Sequence, residues 1–121
     1  MEAKQEVKQT ESFLSKASIR NVGIPLSKMK RAGDLLRGKR VDYALGILKN
    51  TRRMANISLI DLIKSAIANA VEKDENVKAD QLRIKTLITN QGKVLKRMRP
   101  RAMGRGNVIL KRSCHIYIEL F

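Results

Sequence analysis

Cys114 and His115 stand side by side near the C-terminus, and a thiol beside an imidazole is the first pair here that could do chemistry, as a nucleophile with its general base. The residues around them alternate, with Cys114, Ile116, Ile118 and Leu120 apolar and polar or amphipathic residues between them. That period predicts a half-buried strand. Neighbouring side chains on a strand point to opposite faces, so the spacing separates the thiol from the imidazole. Cys114 is then a small core residue. His115 is the only histidine, too few for a metal site of ordinary spacing. No pair of carboxylates stands in basic surroundings where acid–base work could be argued. Gly104-Arg-Gly106 lacks the strand, the spacing and the Lys-Ser/Thr of a phosphate loop. The sequence therefore predicts no catalytic residue, no metal and no cofactor, and reads as a non-enzyme.

Cations are the chemistry that remains. The 121 residues hold 26 Lys and Arg against 11 Asp and Glu, a formal charge of +15. A surplus of that size repels itself in the folded state and calls for a polyanionic partner. Two groups supply it. One rings the first helical stretches: Lys28, Lys30, Arg31, Arg37, Lys39 and Arg40, then Arg52 and Arg53. The other lies on a basic arm: Lys93, Lys96, Arg97, Arg99, Arg101, Arg105, Lys111 and Arg112. Between Gln81 and Ile118 there are ten cations and no Asp or Glu. Charge runs on helices are usually solvated faces, and Arg52-Arg53 taken alone fits that reading. Arg37-Gly-Lys-Arg40 differs, because a helix end and a turn present several cations together. Arg outnumbers Lys in the middle of the arm, and its planar fork grips phosphate oxygens and stacks on bases, which suits folded RNA. No aromatic residue lies in the arm. Shape and backbone recognition of structured RNA is the expected mode, rather than stacking of single strands.

Elements must position these groups. Residues 1–12 are polar with mixed charges and predict a mobile tail. Phe13 to Val22 is a weak strand with poor alternation. Pro25 suits the first turn of a helix, with Met29, Ala32, Leu35 and Leu36 on one face and Gly38 as its left-handed stop. A second helix follows on Val41, Ala44, Leu45 and Leu48, and Thr51 is placed to cap the next. The third spans about 52–73, with Met54, Ile57, Ile60, Ile63, Ile67, Ala70 and Val71 as its apolar stripe and Ala66, Ala68 and Ala70 admitting close approach. Strands resume with Leu82-Ile84-Thr86-Ile88. The expected fold is α+β: three helices packed on a small antiparallel sheet with a long protruding basic β-hairpin. One domain covers 1–121, with a globular body over 13–89 and 107–121 and an extended hairpin arm over 90–106.

Other classes recede. No apolar run approaches the roughly 18 residues of a spanning helix, and the start lacks a signal-peptide core, so no membrane is expected. A lone cysteine builds no disulfide framework, and a reducing cytoplasm is the default. A DNA-binding helical module could use three short basic helices, yet it leaves the acid-free arm unexplained. An RNA-modifying enzyme fails for want of catalytic groups, and no small-molecule substrate is implied.

Three blocks resemble a known family, ribosomal protein twenty-two of the large subunit in its bacterial form. They are Leu35-Leu-Arg-Gly-Lys-Arg-Val-Asp-Tyr-Ala-Leu-Gly-Ile-Leu48, Lys64-Ser-Ala-Ile-Ala-Asn-Ala70 and Arg99-Pro-Arg-Ala-Met-Gly-Arg-Gly-Asn-Val-Ile-Leu-Lys-Arg-Ser-Cys-His-Ile116. The resemblance runs over roughly 22–120. It implies a small α+β body on large-subunit ribosomal RNA, among neighbouring ribosomal proteins of a cytoplasmic ribosome. It also implies support of subunit assembly, and a hairpin lining the tunnel through which nascent polypeptide leaves and affecting macrolide action. By position the tunnel tip would be Leu95, Lys96, Arg97, Met98, Arg99, Pro100 and Arg101. The family's RNA-touching Ser-Pro-Arg-Lys start appears as Pro25-Leu-Ser-Lys28, the proline displaced by one and only Lys28 retained. Its Asp-Glu-Gly before the tip appears as Asn90-Gln-Gly92, and its Arg-Ala-Asp after it as Arg105-Gly-Asn107. Both departures remove acid from the arm.

Overall fold

The computed structural model describes residues 14–121; the expected tail over 1–12, and Phe13 with it, lie outside the described residues. The chain runs β1 (Ser15–Val22), α1 (Leu26–Asp34), α2 (Val41–Asn50), α3 (Met54–Lys73), β2 (Ile84–Gln91), β3 (Leu95–Pro100), β4 (Gly106–Lys111) and β5 (Cys114–Leu120). The fold is α+β. β5 is the centre of a three-stranded antiparallel sheet in the order β1-β5-β2, and β3 pairs only with β4 in a separate two-stranded ribbon.

The period read from β5 holds along its whole length. Cys114, Ile116, Ile118 and Leu120 are buried and the residues between them half-buried, so one face of the central strand is the floor of the core. The helices cover that face, and Met29, Leu36, Val41, Leu48, Leu59, Leu62 and Ile63 join it in one cluster. Burial of such a set is the dominant favourable term in folding.

Several expectations shift by a register or a turn. α1 ends at Asp34, and a turn carries the chain on to Gly38, at φ +72. Leu36 is buried as expected while Leu35 is exposed. Thr51 caps nothing ahead of it: it closes α2, and α3 starts after Arg53 without a side-chain cap. Asn56 serves the other helix end: its buried amide donates to the carbonyls of Leu48 and Thr51, at the close of α2, at 3.0 and 2.6 Å. The buried face of α3 is Ala55, Asn56, Leu59, Leu62, Ile63, Ala66 and Ala70, rotated from the Met54–Ile57–Ile60 stripe; Met54 is 81% exposed and Ile57 67%. The reason is closeness. β1 lies so near that Ser15 Oγ donates to the carbonyl of Ala66 at 2.9 Å and the Asn69 amide donates to that of Lys16 at 3.0 Å, and only small residues fit beneath. At 20 residues α3 is also long and apolar enough to cross a bilayer by length and composition, contrary to the sequence expectation; here its inner face packs on the sheet.

β2 changes phase at a bulge. Ile84 pairs with Leu120 and Thr86 with Glu119, one residue too many on β2. The buried positions are therefore Leu82, Ile84 and Leu87, and Ile88 faces outward. A second shift lies in β1 between Ile19 and Val22, where Asn21 takes φ +57, a conformation Asn tolerates better than most residues.

The arm is longer on its return limb than expected. Pairing between β2 and β5 closes at Gln91 and Cys114, so β4 belongs to the ribbon and 107–111 do not belong to the body. Pro100 pairs with Gly106, and the chain reverses at Ala102–Gly104, with Met103 at φ 60 and Gly104 at φ 67. The residues expected at the tip, Leu95 to Pro100, form the outgoing strand; of that set only Arg101 borders the turn.

Candidate nucleic-acid interface

Three elements meet at the segment Asn21–Ser27, which takes in the end of β1, the link after it and the start of α1. On one side Lys28 and Arg31, one turn apart on α1, face Arg53 and Met54 at the start of α3 across a cleft of about 610 Å³. Gly23, Ile24 and Pro25 form its wall. On the other side the same segment borders the root of the arm, where Asn21 and Gly23 share a groove of about 370 Å³ with Lys93, Leu95, Lys111 and Arg112. Arg112 also lines a smaller groove of about 270 Å³ with Pro25, Leu26 and Ser27. Six cations from three regions of the sequence thus border one short segment.

The arm's root is fixed by small groups. Gly92 N–H donates to the carbonyl of Ser113 at 2.9 Å, and Ser113 Oγ donates to that of Lys93 at 2.6 Å. A Cβ on Gly92 would lie 2.6 Å from Ser113 Oγ and 3.1 Å from His115 Cε1, so only glycine lets the two limbs close. Beyond the root every residue of β3 is exposed. Directly opposed residues of an antiparallel pair share a face. The pairs Lys96–Leu110, Met98–Val108 and Pro100–Gly106 therefore make one largely apolar face. Leu95–Lys111, Arg97–Ile109 and Arg99–Asn107 make the other, which carries three cations. Arg101 and Arg105 flank the turn, joined by the Arg101 N–H donating to the Arg105 carbonyl at 2.6 Å.

Not all the expected cations are available to a partner. Arg37 donates through Nε and Nη2 to the Leu87 carbonyl at 3.2 and 3.0 Å and lies 3.5 Å from Asp34; it ties the end of α1 to β2. Arg40 forks onto the Asp80 carbonyl at 3.2 and 2.7 Å and approaches Asp42 at 3.9 Å. Lys39 sits over the Tyr43 ring at 5.3 Å. Lys39 and Arg40 line a separate groove on α2 with Tyr43 and Ile47. Lys30 and Arg52 are exposed and line neither the cleft nor the arm groove. Arg37 and Arg40 thus have carboxylate partners in Asp34 and Asp42.

The thiol and the imidazole part as the alternation requires. Cys114 is buried and free, and burial pushes its pKa above the ordinary value. His115 lies on the open face, its Nδ1 accepting the Asn21 N–H at 3.1 Å. No group of three or more metal-ligating residues comes together among the described residues. The sequence reading treated Arg52 and Arg53 alike; Arg53, and not Arg52, shares a cleft with α1, and nothing local signals it, because it depends on how α1 crosses the start of α3. It placed His115 on the outward phase of β5, away from Cys114, but passed over Tyr117, the second ring on that phase. Residues 17–120 match the family described as Ribosomal protein L22p/L17e.

Proposed function

The chain belongs to the ribosomal protein L22p/L17e family, and on that premise we propose that it seats on large-subunit ribosomal RNA through the face around Asn21–Ser27 and extends its arm along the nascent-peptide exit tunnel. Membership makes it a structural ribosomal protein of the large subunit, a component of the cytoplasmic ribosome in translation. One observation carries the finer reading: six cations, Lys28, Arg31, Arg53, Lys93, Lys111 and Arg112, border one segment at the root of an arm that carries more cations and no acid. Phosphates on that face relieve the repulsion among them, and binding there releases counterions from the RNA. Such contacts tie RNA segments together, which is the physical content of assisting assembly. The ribbon then runs outward with its turn, Arg101–Arg105, as the part that meets the nascent polypeptide. Neighbouring ribosomal proteins are the fitting partners for Ile57, an exposed apolar residue of α3 outside that cleft. Nothing in this arrangement calls on a catalytic group, a cofactor or a small-molecule substrate. Gradient sedimentation tests the reading: the protein should co-migrate with large subunits after a high-salt wash. Release into the light fractions at that step would refute it.

A further inference from the structure

The outer face of the sheet carries His115 and Tyr117 on the outward phase of the central strand, and both line a shallow cavity of about 810 Å³ whose lining also takes in Ser65 and Asn69 of α3 at the β1 edge. We propose that this face is a second RNA-binding surface, one that takes an unpaired nucleotide by stacking its base on these two rings. It adjoins the basic face around Asn21–Ser27 at Asn21, whose N–H bonds His115, and adds contacts to the base beside a single one to the phosphate.

Residues two apart on a strand emerge on the same face, roughly 7 Å apart along it, so one base covers either ring or bridges both. Each ring is held. His115 Nδ1 accepts the Asn21 N–H at 3.1 Å, which leaves Nε2 as the hydrogen-bearing edge toward a ligand. Tyr117 Oη donates to Glu119 Oε1 at 2.7 Å. Held rings lose little freedom on binding, which is what preorganisation means here. The flanking strands supply the rest of a nucleotide site. Asn90 of β2 pairs directly with His115 and presents an exposed amide, able to donate to and accept from a base edge. Ser18 of β1 pairs with Tyr117, and two residues on along the same strand Arg20 is exposed at the rim, in place for the phosphate. The Glu119 carboxylate is the one acid on this face of β5; with its oxygen occupied by the Tyr117 hydroxyl, it disfavours a second phosphate and so favours a single looped-out nucleotide over a duplex. Ring side chains on the central strand of an open sheet, with a cation at the edge, are the elements from which sheet surfaces bind unpaired bases. A protein strand or tail seated on the sheet is the competing occupant, and the rings give it no comparable advantage.

The test uses the purified full-length protein and a uridine-rich single-stranded octamer carrying 4-thiouridine, with an RNA duplex of equal phosphate count as control. Irradiation of the wild type should place a crosslink on the peptide containing His115 and Tyr117. Tyr117→Leu should weaken octamer binding about tenfold, the order expected for one lost base–ring stack, with duplex binding changed less than twofold. Tyr117→Phe should retain octamer binding. Asn90→Ala and Arg20→Gln, both at exposed positions, should each weaken it several-fold without altering thermal unfolding, and keep the idea testable if Tyr117→Leu fails to fold. Crosslinks confined to the arm and the Asn21–Ser27 face would overturn the proposal, as would equal losses for octamer and duplex. A sheet face reserved for a polypeptide would also leave the 4-thiouridine uncrosslinked there. Duplex binding and sedimentation with the subunit survive those outcomes, so the ribosomal reading is judged apart from this one.

Discussion

β5 and β3 are both antiparallel strands of similar length, and their side chains meet opposite surroundings. On β5 every second residue is buried, and the strand is paired on both edges, to β1 and to β2. On β3 all six residues are exposed and one edge is paired. The body's strand exists because it closes a core; a two-stranded ribbon with no core under it is marginal in water. Stability is concentrated in the body and unpaired charge in the arm and its root. Residues that decide whether the protein folds are therefore largely distinct from those that decide what it binds, and each half of that statement can be broken separately.

The largest effect should be electrostatic. Affinity for large-subunit ribosomal RNA should fall by roughly 10³ to 10⁵ between 50 and 200 mM salt if about eight phosphates are neutralised. Replacing Arg97, Arg99, Arg101 and Arg105 with Gln should lower the log–log slope by about 3 and leave the thermal unfolding of the body unchanged. A flat salt plot would refute the charge argument, and a coincident loss of body stability would show that arm and body are not separable.

Core truncation attacks the other side. Ile118 is fully buried on the central strand, and Ile118→Ala should cost about 2–5 kcal/mol in denaturant unfolding. Val108→Ala, on the ribbon, should stay within about 0.5 kcal/mol. Amide exchange should divide in the same way in the protein free of RNA, with β3 and β4 opening locally and α3 and β5 exchanging only by global unfolding. Protection across Leu95–Lys111 equal to that of α3 would erase the contrast. Between these extremes lies Asn56→Ala, which leaves the carbonyls of Leu48 and Thr51 without their donor and should cost about 1–3 kcal/mol.

How much of this was legible follows the same division. β5 and α2 read correctly because their buried residues are apolar at one unbroken period. α3 misled in part, since Met54 and Ile57 advertise burial more loudly than Ala55 and Asn56; the close approach read from Ala66 and Ala70 is there, made by β1, but which element approaches is a tertiary fact with no local trace. β2 misled at its bulge, where an inserted residue swaps the faces and Leu87 takes the place expected of Ile88. The reversal of the arm was set too early along the chain, because Met103 takes a left-handed conformation that its residue type does not announce, with only Gly104 after it as a sign. The arm's cations were legible as a set. Their meeting with Lys28, Arg31 and Arg53 was not, because it depends on the packing of three elements.

The smallest expected effect is the most local. Cys114 is buried, and burial raises its thiol above the ordinary value near 9. The folded state therefore holds its proton more firmly than the unfolded chain, so the corresponding stability is fully present below about pH 9 and declines as pH rises toward the folded value. Cys114→Ala removes that group at a cost on the order of 1 kcal/mol at neutral pH. Above pH 9 the gap between wild type and variant should narrow, by at most about 1.4 kcal/mol per pH unit for one proton. Changes that pH makes elsewhere in the chain act on both proteins and cancel in the difference. Denaturant unfolding of the pair at pH 7, 9 and 10 measures it. A gap that widens with pH would mean that the thiolate is stabilised in the fold, contrary to a dry core beneath β5. Loss of a chemical activity in the folded variant would reopen the thiol as a functional group, and with it the division between a body that folds and an arm that binds.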